Sequence, residues 1–170
     1  MKNGFISDLH YSGYTNNHLV EYKGIKTPET LAYIDATLRN ILNELVKRGI
    51  TRLIVGGDIF HNKSIVYVDA AEMFRETIEE YPSIEWIMIH GNHDVSARTS
   101  SGKSAIRIFD NIKNVNIIKN KFEKIGNILY VPWSTDLPTI VNQNKADILV
   151  SHFGLNEGIL NSGLSLVSEA

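Results

Sequence analysis

Gly91-Asn92-His93-Asp94 sets an amide, an imidazole and a carboxylate side by side, directly after the apolar run Ile84-Glu85-Trp86-Ile87-Met88-Ile89-His90. The amide oxygen and the imidazole nitrogen are metal-ligand atoms, and imidazole also carries protons near neutral pH. Such a turn says little alone, because Asn, Asp and Gly are ordinary loop formers. Its weight comes from three companions: Asp8-Leu9-His10, Gly57-Asp58-Ile59-Phe60-His61 and Ser151-His152. Each follows an apolar run that reads as a buried strand.

The chemistry open to this set is phosphoryl chemistry on two cations. A carboxylate has two oxygens and can bridge two ions, and ions ~3.5–4 Å apart clamp a phosphoryl group and supply hydroxide near neutral pH. Asp58 follows two glycines, which let backbone approach closely, so it is the natural bridge. Asp8 and His10 lie two apart on a segment expected to be extended; they point the same way and suit one ion. Asn92 and His152 suit the other, and His93 remains free as a proton donor or phosphate partner. Taken singly, each residue also has an ordinary use. Asp8 and Asp58 could cap helices or turns, and His10 or His61 could be a hydrogen-bonded core histidine. Four motifs at matched positions outweigh that reading. His90, one residue before the turn, is expected to be a buried, hydrogen-bonded neighbour of the ligands.

The elements that must position these residues follow from the rest of the chain. Its 170 residues, 43% apolar and 21% charged, make one globular domain with a sizeable core. There is no cysteine, so any metal is held by His, Asp, Asn and water, a set suited to Mn, Fe or Zn. A formal charge of -2 lacks the basic excess that usually marks nucleic-acid binding. No apolar run approaches ~20 residues and no secretory signal opens the chain, so neither a membrane span nor export is expected.

In order, Phe5-Ile6-Ser7 reads as a short buried strand and Tyr11 to Lys26 as a long polar loop, with His18 as solvated surface. Thr27-Pro28-Glu29 reads as a helix start, with Thr27 as N-cap and Pro28 at the first helical position. Leu31, Ile34, Leu38, Ile41, Leu42 and Leu45 continue at helical spacing until Gly49. A strand at Arg52–Val55 and a helix from Asp69 to Tyr81 follow, then the Ile84 strand and a helix from Ser101 to Lys113. Val115–Ile118 is a strand. Phe122–Ile125 and Ile128–Val131 form a hairpin across Gly126-Asn127, with a II′ turn. Asp136 to Asn144 is a short helix, and Asp147–Val150 a last strand. The stretch from Gly154 to Ala170 has no assignment. The order is that of an α/β domain with a largely parallel first half, whose ligands bind beyond the strand carboxyl ends. Candidate site residues converge there on one sheet edge.

The ordered set "SDLH", "GGDIFH", "GNHD" and "VSHFG" resembles the calcineurin-like metallophosphoesterase superfamily. "GDIFH", supported by Val131-Pro132-Trp133, is similar to the nuclease subunit of SbcCD-type complexes and its phage recombination-endonuclease relatives. The resemblance runs from Phe5 to about Gly154. It implies an α/β fold, a β-sandwich of two sheets flanked by helices, with two Mn ions (sometimes Fe or Zn) at the strand ends. It implies Asp8, His10, Asp58, Asn92 and His152 as metal ligands, His93 as transition-state stabiliser and proton donor, and His61 as a substrate-positioning residue. The implied reaction is metal-dependent phosphodiester hydrolysis on DNA in recombination or repair, with an SMC-like ATPase of SbcC type as partner and a possible homodimer. The implied location is cytoplasmic, the host's cytoplasm for a phage protein. The family's closing "GHxH" motif does not occur in these residues, so the expectation is the front part of a catalytic domain. Two other functions stay open: a phosphoesterase for nucleotides or phosphoproteins, and a non-catalytic module that binds a partner. Ser101-Gly102-Lys103-Ser104 echoes the end of a P-loop, but position 97 is Ala where that motif needs Gly, and no strand precedes it. Arg98 and Lys103 are weaker candidates for phosphate contacts.

Overall fold

The computed structural model describes residues 2–13, 18–63, 65–96, 103–134 and 136–153. The Ser101-Gly102 helix start, Arg98 and the stretch from Gly154 to Ala170 lie outside them. The order is β1 (Asn3–Ile6), β2 (Leu19–Tyr22), β3 (Ile25–Pro28), α1 (Glu29–Lys47), β4 (Arg52–Val55), α2 (Val68–Glu80) and β5 (Glu85–Met88). A 3-10 turn (Ala105–Phe109), β6 (Val115–Ile117), β7 (Glu123–Ile125), β8 (Ile128–Val131), α3 (Leu137–Gln143) and β9 (Ile148–Ser151) complete it.

Apolar residues on both faces of β4 and β5 make the first sheet a buried layer. Its order is β1-β4-β5-β6, all parallel. Leu53, Val55, Trp86, Met88 and Ile117 face one way and pack with Leu31, Leu38 and Leu42 of α1 and Phe74 and Ile78 of α2. Ile54, Ile87, Ile89 and Ile118 face the other way, against Ile128, Tyr130 and Val150 of the second sheet, β7-β8-β9. Leu129 and Val131 on that sheet's far side meet Leu137 and Ile140 of α3. The result is helix, sheet, sheet, helix: the α/β architecture of a sandwich flanked by helices. No helix among the described residues is long and apolar enough to cross a membrane.

Several local expectations are corrected. The stretch Tyr11 to Lys26 is not all loop: β2 and β3 pair antiparallel across Lys23-Gly24, both with positive φ. Its strands are too short and its turn pair too unusual for a pattern to announce it. Thr27 and Pro28 end β3, and no side chain caps α1. Of the helix expected from Ser101 to Lys113, the described residues form a five-residue 3-10 turn with Ile106 and Phe109 buried and Ile108 exposed; an i, i+3 apolar pair serves that tighter geometry equally well. Ile41 of α1 is also exposed. Phe5 is 62% exposed, because β1 is an edge strand and, among the described residues, no layer covers the face that carries Phe5. The Gly126-Asn127 hairpin is as expected, with positive φ at Gly126 only, as a II′ turn requires.

A wholly buried carboxylate ties the helix layer together. Asp35 accepts hydrogen bonds from Tyr11 (3.0 Å), Tyr22 (2.9 Å), Arg39 (2.6 Å) and Thr77 (2.7 Å), which join α1, α2, the hairpin and the loop after β1. Burial alone would raise its pKa, but the bonds from Thr77, Arg39 and Tyr22 outweigh burial and hold it below the ordinary value. A lowered folded-state pKa contributes stability that is fully present above the unfolded value and lost as pH falls through the folded one. Asp35→Ala is therefore expected to cost about 3–5 kcal/mol at neutral pH, since it leaves the buried Tyr11 and Thr77 hydroxyls without an acceptor and Arg39 with Glu80 as its one carboxylate. Denaturant titration checks this. The gap from wild type should shrink as pH falls below the ordinary aspartate value of about 4 and on through the lower folded-state value.

Candidate metal centre

The first sheet delivers three of the motifs from neighbouring strand ends: Asp8 and His10 after β1, Asp58 and His61 after β4, Asn92 and His93 after β5. His152 follows β9 of the second sheet, so the cluster lies across the ends of both sheets rather than along one edge. The face-to-face packing of Ile54 and Ile87 on Tyr130 and Val150 brings that strand end into place.

The loops are not extended. Asp8, His10 and Asp58 have φ of 58°, 51° and 53°. The expectation that Asp8 and His10 converge by strand alternation is corrected: left-handed turns converge them. Such conformations cost a non-glycine residue about 1–3 kcal/mol and collect where function needs a special geometry. Hydrogen bonds hold them. Asp8 N–H donates to Gly57 O (3.0 Å), His10 N–H to Asp58 O (2.9 Å), Tyr11 N–H to Ile59 O (2.7 Å) and His61 N–H to Tyr11 O (3.2 Å).

Asp58 is buried and divides its two oxygens. Oδ1 accepts the His93 backbone N–H at 2.9 Å. Oδ2 lies 3.9 Å from His10 Nε2 and 3.4 Å from His152 Nε2. Beyond His10 is Asp8 Oδ1, at 4.0 Å; beyond His152 is Asn92 Oδ1, at 3.1 Å. Two donor sets thus adjoin at one carboxylate oxygen. Ligand atoms of Asp8, His10 and Asp58 all lie within 4.8 Å of one another, a spacing that suits one ion at ordinary bond lengths. On the other side, His152 Nδ1 is 3.0 Å from the Gly56 carbonyl. That contact places the proton on Nδ1 and leaves Nε2 with a lone pair facing two oxygens. Acceptors facing one another without a proton between them are what a cation stabilises, so these residues fit a pair of divalent ions. Burial, reinforced by His93 and His61 and opposed by Asp58 and Asp8, lowers the His10 pKa and favours the neutral, ligating form.

His93 stands beside this cluster. Its Nδ1 meets the His61 carbonyl at 2.5 Å, and its ring lies 5.2 Å from that of His10 and 6.0 Å from that of His61. His61 is exposed, 5.3 Å from the His10 ring. Asp94 is a clamp rather than a member of the donor cluster. Fully buried, it accepts from Phe60 N–H (3.0 Å), Gly91 N–H (2.9 Å) and Ile59 N–H (3.3 Å). Burial raises its pKa and these bonds oppose the rise. Its place three residues after Gly91 was the only sequence signal of this return contact. His90 is half-buried; burial lowers its pKa, and its carbonyl accepts Trp133 N–H at 3.0 Å. His18 is exposed, as is Lys103, and neither joins the cluster.

Two glycines permit the approach of the β4 and β5 loops. A Cβ at Gly91 would fall 2.1 Å from Asp58 Oδ1 and 2.5 Å from Asp58 N, and one at Gly57 would fall 2.7 Å from Gly91 N. Gly91→Ala should cost about 1–3 kcal/mol in thermal or chemical unfolding. Because the clash falls on Asp58, calorimetric titration should also show weaker binding of divalent cations.

No curated protein sequence matches the chain significantly. The profile of calcineurin-like phosphoesterases, by contrast, matches residues 1–166. Metal-dependent phosphoester hydrolysis is the chemistry of that family, and the Asp8-His10-Asp58 cluster lies where such chemistry needs its ligands. With the match covering almost all of the chain, the protein belongs to the calcineurin-like phosphoesterase family.

Proposed function

We propose that this phosphoesterase is a DNA nuclease: the nuclease subunit of an SbcCD-type or phage recombination complex, cleaving phosphodiesters in recombination or repair. The observation that carries the reading is His61. The "GDIFH" motif of that subgroup supplies an extra histidine, and here its backbone carbonyl meets His93 while its ring stands exposed beside His10. In this reading Asp8, His10 and Asp58 hold one ion, and Asp58, Asn92 and His152 the other. Mn is the proposed metal, with Fe or Zn as substitutes. When bound, the ions supply a hydroxide nucleophile and neutralise phosphate charge. Asp58, which faces both His10 and His152, would be shared between the two sites. His93, its Nδ1–H held by the His61 carbonyl, would give a proton from Nε2 to the leaving oxygen as the imidazolium. His61 orients the DNA backbone. An SMC-like ATPase of SbcC type is the proposed partner, a homodimer the proposed assembly, and the cytoplasm, a host's for a phage protein, the proposed location.

The net charge of -2 favours a second reading, hydrolysis of smaller phosphoesters such as nucleotides or phosphoproteins. Mn-dependent assays on labelled duplex DNA, nucleotides and a phosphopeptide separate the two. Turnover of the nucleotide or peptide alone sinks the nuclease reading.

Asp58→Asn is expected to weaken both ions and Asp8→Asn chiefly one, by metal titration calorimetry. Unchanged stoichiometry and affinity in Asp58→Asn would refute the bridge. His93→Ala should keep its metal and lose ~10²–10⁴ in turnover; metal loss alongside activity would make His93 a ligand. His61→Ser should impair resection of duplex ends more than cleavage of a small phosphodiester, and equal losses would remove its positioning role.

A further inference from the structure

Trp133 leaves a large aromatic surface in water at the edge of the centre. It is 39% exposed, whereas the other tryptophan, Trp86, is wholly buried. Its position is fixed. Pro132 before it is buried, and its own N–H donates to the carbonyl of His90, which opens the Gly91-Asn92-His93 turn, at 3.0 Å. Its ring centroid lies 6.2 Å from that of His152, with the planes 68° apart. The indole thus borders the donor set of His152, Asn92 and Asp58.

An indole offers no charge for a phosphate. It offers a rigid apolar face at low entropic cost, and every nucleobase has a π-face to lay on it. Beside the place where a phosphate would be held, the flat group within reach is the base of the adjoining nucleotide. We propose that Trp133 is a stacking platform for the nucleobase next to the scissile phosphate, so that the centre takes nucleotide-containing phosphodiesters over simple alkyl ones. This rests on the phosphodiesterase reading above and adds to it a subsite for the base.

Acrylamide quenching of the full chain in Mn tests it, because buried Trp86 is shielded and quenching reads Trp133. Thymidine 5′-monophosphate should protect the quenchable emission, and 2-deoxyribose 5-phosphate should not. Equal protection by both, protection by neither, or emission already shielded in the free protein overturns the proposal; the last result means that protein covers the ring. Kinetics give an independent arm with one leaving group, comparing the p-nitrophenyl ester of thymidine 5′-monophosphate with methyl p-nitrophenyl phosphate. Trp133→Leu should raise KM for the thymidine ester about 10-fold, while Trp133→Phe keeps most of the affinity. The methyl ester should be unaffected and kcat should stay within about twofold. An unchanged KM ratio in a folded Trp133→Leu overturns the platform. If wild type hydrolyses neither ester, the phosphodiesterase reading fails, and the quenching comparison alone decides whether Trp133 stacks a base.

Discussion

The centre depends on how closely two loops pass. Gly57 and Gly91 bring the backbones after β4 and β5 so near that neither position has room for a side chain. That contact seats Asp58 with one oxygen held by the His93 N–H and the other turned toward both donor sets. Asp94 reinforces it from below, collecting N–H groups from Ile59, Phe60 and Gly91 on one carboxylate. Two aspartates thus divide the work: one is consumed by backbone donors and shapes the turn, the other keeps an oxygen free. The difference lies in what surrounds each carboxylate, since the residue type is the same.

The sandwich supplies the other half. Parallel strands point all their carboxyl ends the same way, which gathers Asp8, Asp58 and Asn92 from one sheet. A second sheet is needed to bring His152 to the opposite side of Asp58, and the apolar layer between Ile87 and Tyr130 sets that distance. The ring of His152 is then oriented by the Gly56 carbonyl, one residue from the glycine that admits the neighbouring loop. Packing in the core and direction of a lone pair are successive steps of one construction.

Most of this was legible in the sequence where a pattern was strong. The runs at Arg52–Val55 and Ile84–Ile89, the α1 periodicity and the Gly-Asn hairpin appear as read, because period and turn chemistry agree there. The residues that gather around Asp58 were legible as candidates because each stands just after such a run. The β2–β3 hairpin was not: four-residue strands of alternating exposure leave little periodic signal, and Lys23-Gly24 is not a favoured turn pair. Left-handed φ at Asp8, His10 and Asp58 was invisible too, because nothing in an Asp or His residue announces it; the ladder of neighbouring loops imposes it. Asp94 and Asp58 could not be told apart by spacing, since their roles differ only in which N–H groups come within reach.

That ladder also explains how strained residues stay in place. Three non-glycine residues in the left-handed region oppose folding locally, each by about 1–3 kcal/mol. What resists relaxation is Tyr11, next to His10. Its ring is buried against Phe74, its N–H and C=O bond the β4 loop, and its hydroxyl donates to Asp35. A buried tyrosine needs a partner for its hydroxyl, and Asp35 gives it one that Arg39 and Thr77 hold in turn. The chain of contacts runs from α2 through Asp35 and Tyr11 to the backbone of His10 and His61. The helix layer on the far side of the sheet therefore sets the geometry of the donor atoms, although none of its residues reaches them.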